Sequence, residues 1–319
     1  MNSEESLDKV ADSSLHEGSD KDQASPQKGS SLLPAARQLI GAPLWERSQF
    51  VIKDLLVRYP ALERVVANAE WMIHEPRQER ARGLIVSAAK GNGKTSLSKL
   101  IHGRFNGYGH VDQPCVLRIS MSGVRDARSV YGRIMESLGS PARISHRLSD
   151  RELLVQRLLR DVNCRLLVLD EVQDILLGSE REQIRALEGI KLLMNEVGVP
   201  ILAFGAEKAA QAFNSDGHLA ARFEQFTMPS WQADSTLASF VATYERCLPL
   251  EEPSNLSDPA SLALLAKVGG GVIGNIVTRI KNAALTAFVE GSSRITTDIL
   301  KRSESRPVTC PFGRQSSSA

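Results

Sequence analysis

The residues Ala88-Ala89-Lys90-Gly91-Asn92-Gly93-Lys94-Thr95 put two glycines, a lysine and a hydroxyl side chain into one short turn. An apolar run, Gly83-Leu84-Ile85-Val86, precedes the turn, and the amphipathic stretch Ser96-Leu97-Ser98-Lys99-Leu100-Ile101 follows it. Glycines let a backbone curl so that several N–H groups face one concavity, and a helix N-terminus adds partial positive charge at the same place. The pattern predicts a phosphate-binding loop. Gly91, Asn92, Gly93 and Ser96 would cradle the phosphates of a nucleotide, with Lys94 reaching the β- and γ-phosphates and the Thr95 hydroxyl ligating Mg²⁺. The full pattern is G-x-x-x-x-G-K-[ST], and Ala88 stands at its first place, which it can enter with a negative φ. The competing reading is a glycine-rich turn that binds nothing.

A second group is Arg165-Leu166-Leu167-Val168-Leu169-Asp170-Glu171, a short apolar run that ends in two carboxylates. Such a run reads as a strand buried on both faces of a parallel sheet. Ligands of open α/β sheets bind at the carboxyl ends of the strands, where these acids would lie. Asp170 would hold Mg²⁺, directly or through water. Glu171 would orient and polarise the water that attacks the γ-phosphate of ATP. A strand stopping at a solvated acidic turn is the plainer alternative.

The elements that must position these groups are legible in outline. Further strands are expected at Cys115-Val116-Leu117-Arg118-Ile119-Ser120, at Val199-Pro200-Ile201-Leu202-Ala203-Phe204 and near Phe223 to Met228. Helices are expected between them, including Ala127 to Leu138, Glu182 to Val197 and Glu207 to Asn214, with a capping box Ser149-Asp150-Arg151-Glu152 opening another. The alternation predicts an α/β fold with a doubly wound parallel sheet over 83–230. About 75 residues separate Lys94 from Asp170, and they hold an extra strand. That order resembles the additional-strand P-loop ATPases that include the AAA+ proteins. After Trp231 the apolar stripes all have helical spacing, which predicts a small all-helical lid over 231–302, with Asp258-Pro259 starting one of its helices. Upstream, 34–82 is expected as a helical extension, broken where Pro60 ends its first segment.

Composition narrows the class. Apolar content of 42% and charged content of 24% are ordinary for a globular chain. No apolar run approaches the roughly 20 residues that span a bilayer. The four cysteines, Cys115, Cys164, Cys247 and Cys310, have no C-x-x-C spacing, which points to a reducing, cytoplasmic setting without structural zinc. Residues 1–33 carry three lysines against seven acids, so the net +2 of the whole hides a −4 segment and a +6 remainder. That segment is expected to be a disordered acidic tail, and 303–319 a flexible tail. A mildly basic body permits nucleic-acid binding without requiring it.

Beyond the two motifs, Ile190-Lys191-Leu192-Leu193-Met194-Asn195-Glu196 leads into Val199 through Gly205. Asp216, Leu219, Arg222-Phe223, Trp231, Leu248-Pro249-Leu250 and Gly269-Gly270-Gly271-Val272-Ile273-Gly274 follow. In order and spacing these residues resemble the TniB family, ATP-dependent regulators of transposition related to TnsC and MuB, over roughly 40–302. The resemblance implies a weak, regulatory ATPase that assembles on double-stranded DNA as a homo-oligomer or filament. It further implies that the assembly recruits a DDE-type transposase, alongside a TniQ-like target-selection protein, with no membrane partner. It makes Arg222 a candidate arginine finger that acts on a neighbour's γ-phosphate; a surface arginine capping a strand end is the alternative. It places Ala206 where a polar sensor is usual, which implies slow hydrolysis. Gly274 lacks the lid arginine three places on, so Arg279 is the nearest sensor candidate, against an ordinary exposed helix residue.

DNA contact needs arginines or lysines near phosphates. Arg118, Arg125, Arg128 and Arg133 follow or lie in the second strand, and Arg143, His146 and Arg147 form a further group. Related ATPases run DNA along loops after this strand, which selects Arg125 and Arg128; a solvated helix face with Asp126 and Glu136 is the alternative. Two other functions fit the same motifs: a replication initiator or helicase loader, and a signalling or scaffold NTPase switch.

Overall fold

The computed structural model describes residues 31–106, 115–140, 147–214 and 217–305. Five strands form one all-parallel sheet: β1 (Gly83–Ser87), β2 (Cys115–Ser120), β3 (Cys164–Asp170), β4 (Ile201–Gly205) and β5 (Phe223–Thr227). Their spatial order is β2-β3-β4-β1-β5. Every residue of β1 and β4 is buried, as expected of apolar runs with helices on both faces. All five expected strands are present. The extra strand of the sequence, β2, lies at the sheet edge, and β4 is inserted between the loop-bearing β1 and the acidic β3.

In chain order the helices are α1 (Pro34–Arg37), α2 (Leu44–Ile52), α3 (Pro60–His74), α4 (Lys94–Phe105), α5 (Ala127–Ser137), α6 (Leu148–Asp161) and α7 (Glu180–Leu192). Then come α8 (Ala209–Asn214), α9 (Gly217–Ala220), α10 (Ser235–Glu245), α11 (Pro259–Gly269), α12 (Ile273–Glu290) and α13 (Thr297–Arg302). A 3₁₀ segment, Val172–Leu177, follows β3, and a π turn, Leu193–Val197, ends α7. The main core joins Ile85, Ile119, Leu167, Leu169 and Ala203 of the sheet to Tyr131, Ile134, Val155, Leu159 and Ile190 of α5, α6 and α7. Asp126 caps α5 by accepting the Ser129 N–H at 2.9 Å. Glu182 reaches back to the Ser179 N–H at 2.7 Å to cap α7, each meeting a backbone donor that the helix start leaves open.

Three local expectations are corrected. The helix assigned to a Ser149–Glu152 capping box starts at Leu148, with the Asp150 carboxylate accepting the Arg147 N–H. Pro60 opens α3 rather than ending the segment before it, because a proline at a helix start has no N–H to lose. The expected single extension over 34–82 is divided. The described residues up to Pro60 group with those from Ser230 onward, while Ala61–Pro229 forms the sheet unit. In the helical unit, Val51 and Val57 join a core with Leu237, Val241, Tyr244, Ile276, Ile280 and Leu300. Tyr59 packs edge-on against Trp231, ring centroids 4.9 Å apart.

One contact in the sheet unit is tight enough to test. A Cβ on Gly83 would lie 2.2 Å from the Phe223 ring on the neighbouring strand. Gly83→Ala should cost about 1–3 kcal/mol through overpacking, read as a lower urea midpoint at unchanged slope.

Candidate functional site

The loop after β1 has the backbone its sequence requires. Gly91 and Gly93 sit at φ +87° and +76°, a region an L side chain rarely enters. Gly93 is also the residue from which α4 starts, its carbonyl accepting the Leu97 N–H at 2.8 Å. Ala88 is buried and stays out of the left-handed region, so its departure from glycine costs the turn nothing. Ala88 N–H donates to the Gly205 carbonyl at 3.2 Å, which pins the start of the loop to the end of β4. Asn92 is buried, while Thr95 and Ser96 are exposed on the first turn of α4. The Lys94 ammonium folds over the loop and donates to the carbonyls of Ala88 (2.7 Å) and Ala89 (2.9 Å). Burial lowers its pKa, and the fields of Asp170, Glu171 and Glu207 oppose that fall. The lysine, Asp170 at the end of β3, Glu171 just after it and the loop therefore share one electrostatic site.

Asp170 ends β3 almost fully buried, at 2% exposure. One of its oxygens, Oδ2, accepts hydrogen bonds from Ser98 Oγ at 2.9 Å and from Arg118 Nη2 at 2.7 Å. Arg118 Nε also donates to Ser98 Oγ at 2.8 Å, closing a three-residue ring between α4, β2 and β3. The other oxygen, Oδ1, is buried without a hydrogen-bond partner. A buried carboxylate oxygen with free lone pairs, beside a helix start that carries Thr95, suits a hard cation such as Mg²⁺. Half-buried Glu171 sits at φ +63°, in the left-handed region, which a non-glycine residue keeps only when its surroundings impose it. Burial and the nearby Arg118 charge lower the pKa of His102 on α4, which favours its neutral form.

Sequence reading missed Ser98 and misplaced Arg118. Both carried a signal: a lone charge inside an apolar strand run, and a hydroxyl one turn along the helix from Lys94. Arg118 was grouped with the DNA-facing arginines, and its ion pair with Asp170 removes it from them. Arg133 is also engaged, with the Ser122 carbonyl and Glu136. Arg125 and Arg128 are exposed in the loop after β2 and the first turn of α5. Arg143, His146 and Asp216 lie outside the described residues.

The remaining candidates, Arg222 and Arg279, have partners of their own. The Arg222 carbonyl accepts the Gly83 N–H at 2.9 Å, so this residue lies at the amino ends of the strands, opposite the phosphate loop. Its guanidinium bonds Asn195 Oδ1. Arg279 donates to the carbonyls of Leu300 (3.0 Å) and Lys301 (2.6 Å). That pairing ties Arg279 of α12 to the last turn of α13 within the helical unit. No group of three or more metal-binding side chains occurs among the described residues. No helix among them is long and apolar enough to cross a membrane.

Solved structures share this fold. The Aeropyrum pernix ORC2 protein in its ADPNP–ADP complexes has 16% identity and a TM-score of 0.59, covering 79% of this chain and 70% of that one. Cdc6p from Pyrobaculum aerophilum has 17% identity and a TM-score of 0.56, covering 78% and 67%. The Aeropyrum pernix ORC1 protein in complex with DNA has 15% identity and a TM-score of 0.59, covering 80% and 67%. At such identities the likeness establishes the fold, an AAA+ α/β domain, and no more. No curated protein matches the chain. The family model of the bacterial TniB protein matches residues 47–233. Because that match takes in all five strands and more than half of the sequence, the chain belongs to the TniB family.

Proposed function

We propose that this protein is an ATP-dependent, DNA-binding regulator of transposition. In this reading it assembles on target DNA and recruits a DDE-type transposase. The observation that carries the proposal is the convergence of Lys94 with Asp170 and Glu171 at the carboxyl ends of β1 and β3, in a member of the TniB family. Fold relatives solved with ADPNP and ADP, and with DNA, support the nucleotide and DNA parts of the reading.

In the proposed mechanism the N–H groups from Gly91 to Ser96 bind the phosphates, and Lys94 exchanges its loop carbonyls for phosphate oxygens. Mg²⁺ would be held by Asp170 Oδ1 and Thr95. When bound, it supplies charge neutralisation for the β- and γ-phosphate oxygens. Glu171 accepts a proton from the attacking water. Arg222 faces away from its own loop, so in this reading it acts on a neighbour's nucleotide. Assembly and turnover are then linked, because a site becomes complete only beside a second copy. Arg125 and Arg128 supply sequence-tolerant phosphate contacts to DNA. The Arg118–Ser98 clamp has a separate duty: it pays for burying the Asp170 charge and holds the carboxylate with Oδ1 free.

Sedimentation of the protein with duplex DNA tests the core of this reading. Wild type should pellet with DNA in ATP and much less in ADP. Lys94→Ala should lose both nucleotide binding and pelleting, and Glu171→Gln should pellet longer while hydrolysing about 100-fold more slowly. Replacing Arg125 and Arg128 together by alanine should abolish pelleting at unchanged ATP affinity. Wild type that ignores ATP when binding DNA would sink the reading, and strand transfer with a purified transposase separates it from a helicase loader. Arg222→Ala should slow turnover without weakening ATP binding by dilute protein; an equal loss of binding there would exclude action in trans. Arg118→Ala should destabilise the fold by about 1–3 kcal/mol, less than for a fully buried pair because the arginine is partly exposed. Arg133→Ala should change the urea midpoint little, and equal effects of the two would contradict the clamp.

A further inference from the structure

The end of β4 carries no polar side chain of its own, yet a polar group sits there. Ala206, the residue after β4, donates its N–H to Gln173 Oε1 at 3.1 Å. Gln173 comes from the 3₁₀ segment two residues after Glu171. The preceding residue, Gly205, bonds Ala88 at the start of the phosphate loop, so this amide is one residue removed from the loop in the hydrogen-bond pattern. Gly205 admits the close approach: a Cβ there would lie 3.2 Å from Gln173 Oε1, 3.0 Å from Val172 and 2.4 Å from Ala209.

The amide is held from its other end as well. Gln173 Nε2 donates to Asp174 Oδ1 at 3.3 Å, and Asp174 Oδ2 accepts the Gly123 N–H from the loop after β2 at 3.1 Å. Asp174 N–H closes the turn onto the Glu171 carbonyl at 3.1 Å. A primary amide has two N–H donors and two acceptor lone pairs. These contacts use one of each and leave one N–H and one lone pair in a fixed direction.

We propose that Gln173 is the water-positioning residue of the site and takes the part that Ala206 cannot play. This rests on the ATPase reading. The spare Nε2–H donates to the attacking water while Glu171 accepts that water's proton. The water oxygen bonds to the γ-phosphorus as the bond to the ADP oxygen breaks, and the electron pair leaves on ADP. A carboxamide suits this task because it orients water without adding charge beside the γ-phosphate. Hydrolysis then need not be slow for want of a polar residue at 206.

Full-length Gln173→Ala and Gln173→Glu proteins test the role. ATP turnover is counted per nucleotide-bound site, so that misfolded protein does not enter, and nucleotide affinity is measured with a fluorescent ATP analogue. Both variants should lose about 10- to 100-fold in kcat while nucleotide affinity stays within about 2-fold. The glutamate variant is the more informative, since it keeps an acceptor for the Ala206 N–H while losing both N–H donors, the one to Asp174 included, so that an unchanged nucleotide affinity is needed beside the lost kcat. If it turns over like wild type, Gln173 only fastens the 3₁₀ segment and the proposal fails. A loss of affinity equal to the loss of kcat overturns it too. Wild type that binds ATP without hydrolysing it overturns the ATPase reading and this role with it, whereas normal wild-type turnover with unaffected variants overturns this role alone.

Discussion

A carboxylate buried at the end of a sheet strand must be paired, because an isolated charge in a protein interior is too costly to keep. In this fold the pairing of Asp170 with Ser98 and Arg118 meets that demand. The three residues come from α4, β3 and β2, so the contact ties the helix that begins at the phosphate loop to two neighbouring strands. It also divides the labour of one carboxylate: Oδ2 is engaged by the protein, and Oδ1 remains a buried oxygen with free lone pairs. The clamp fixes Asp170 relative to the helix that follows the loop.

Around it, sheet order decides which groups meet. Parallel strands bring all their carboxyl ends to one edge, and the order β2-β3-β4-β1-β5 sets β4 between the loop strand and the acidic strand. The end of β4 therefore touches both neighbours, through Gly205 to Ala88 and through Ala206 to Gln173. The left-handed Glu171 is the pivot that turns the chain out of β3 into the 3₁₀ segment and returns Gln173 to the sheet edge. The same topology sends Arg222 to the opposite ends of the strands, away from the loop after β1.

Membership of the TniB family and the AAA+ fold rest on different observations, a family match over 47–233 and structural likeness at 15–17% identity. The chemistry of the site is what gives the functional reading its content, because it names a substrate, a trigger and the residues through which each would act.

The amino-acid sequence alone determined the five strands, the glycine-rich loop, the Asp170–Glu171 pair and, among the described residues, the helical character of the segments after Trp231. These are short-range properties: apolar runs, glycine spacing and helical periodicity are written within a few residues of one another. Boundaries set by local competition were less legible, as the start of α6 and the place of Pro60 show. What only the tertiary structure decided were the long-range pairings. Arg118 looks like one more surface cation until β2 is laid beside β3, and the carbonyls that Arg279 meets are set only when α13 is folded against α12. Gln173 is an unremarkable polar residue until β4 is set between β1 and β3. Partners distant in the chain are chosen by strand order and packing, and no local pattern encodes those.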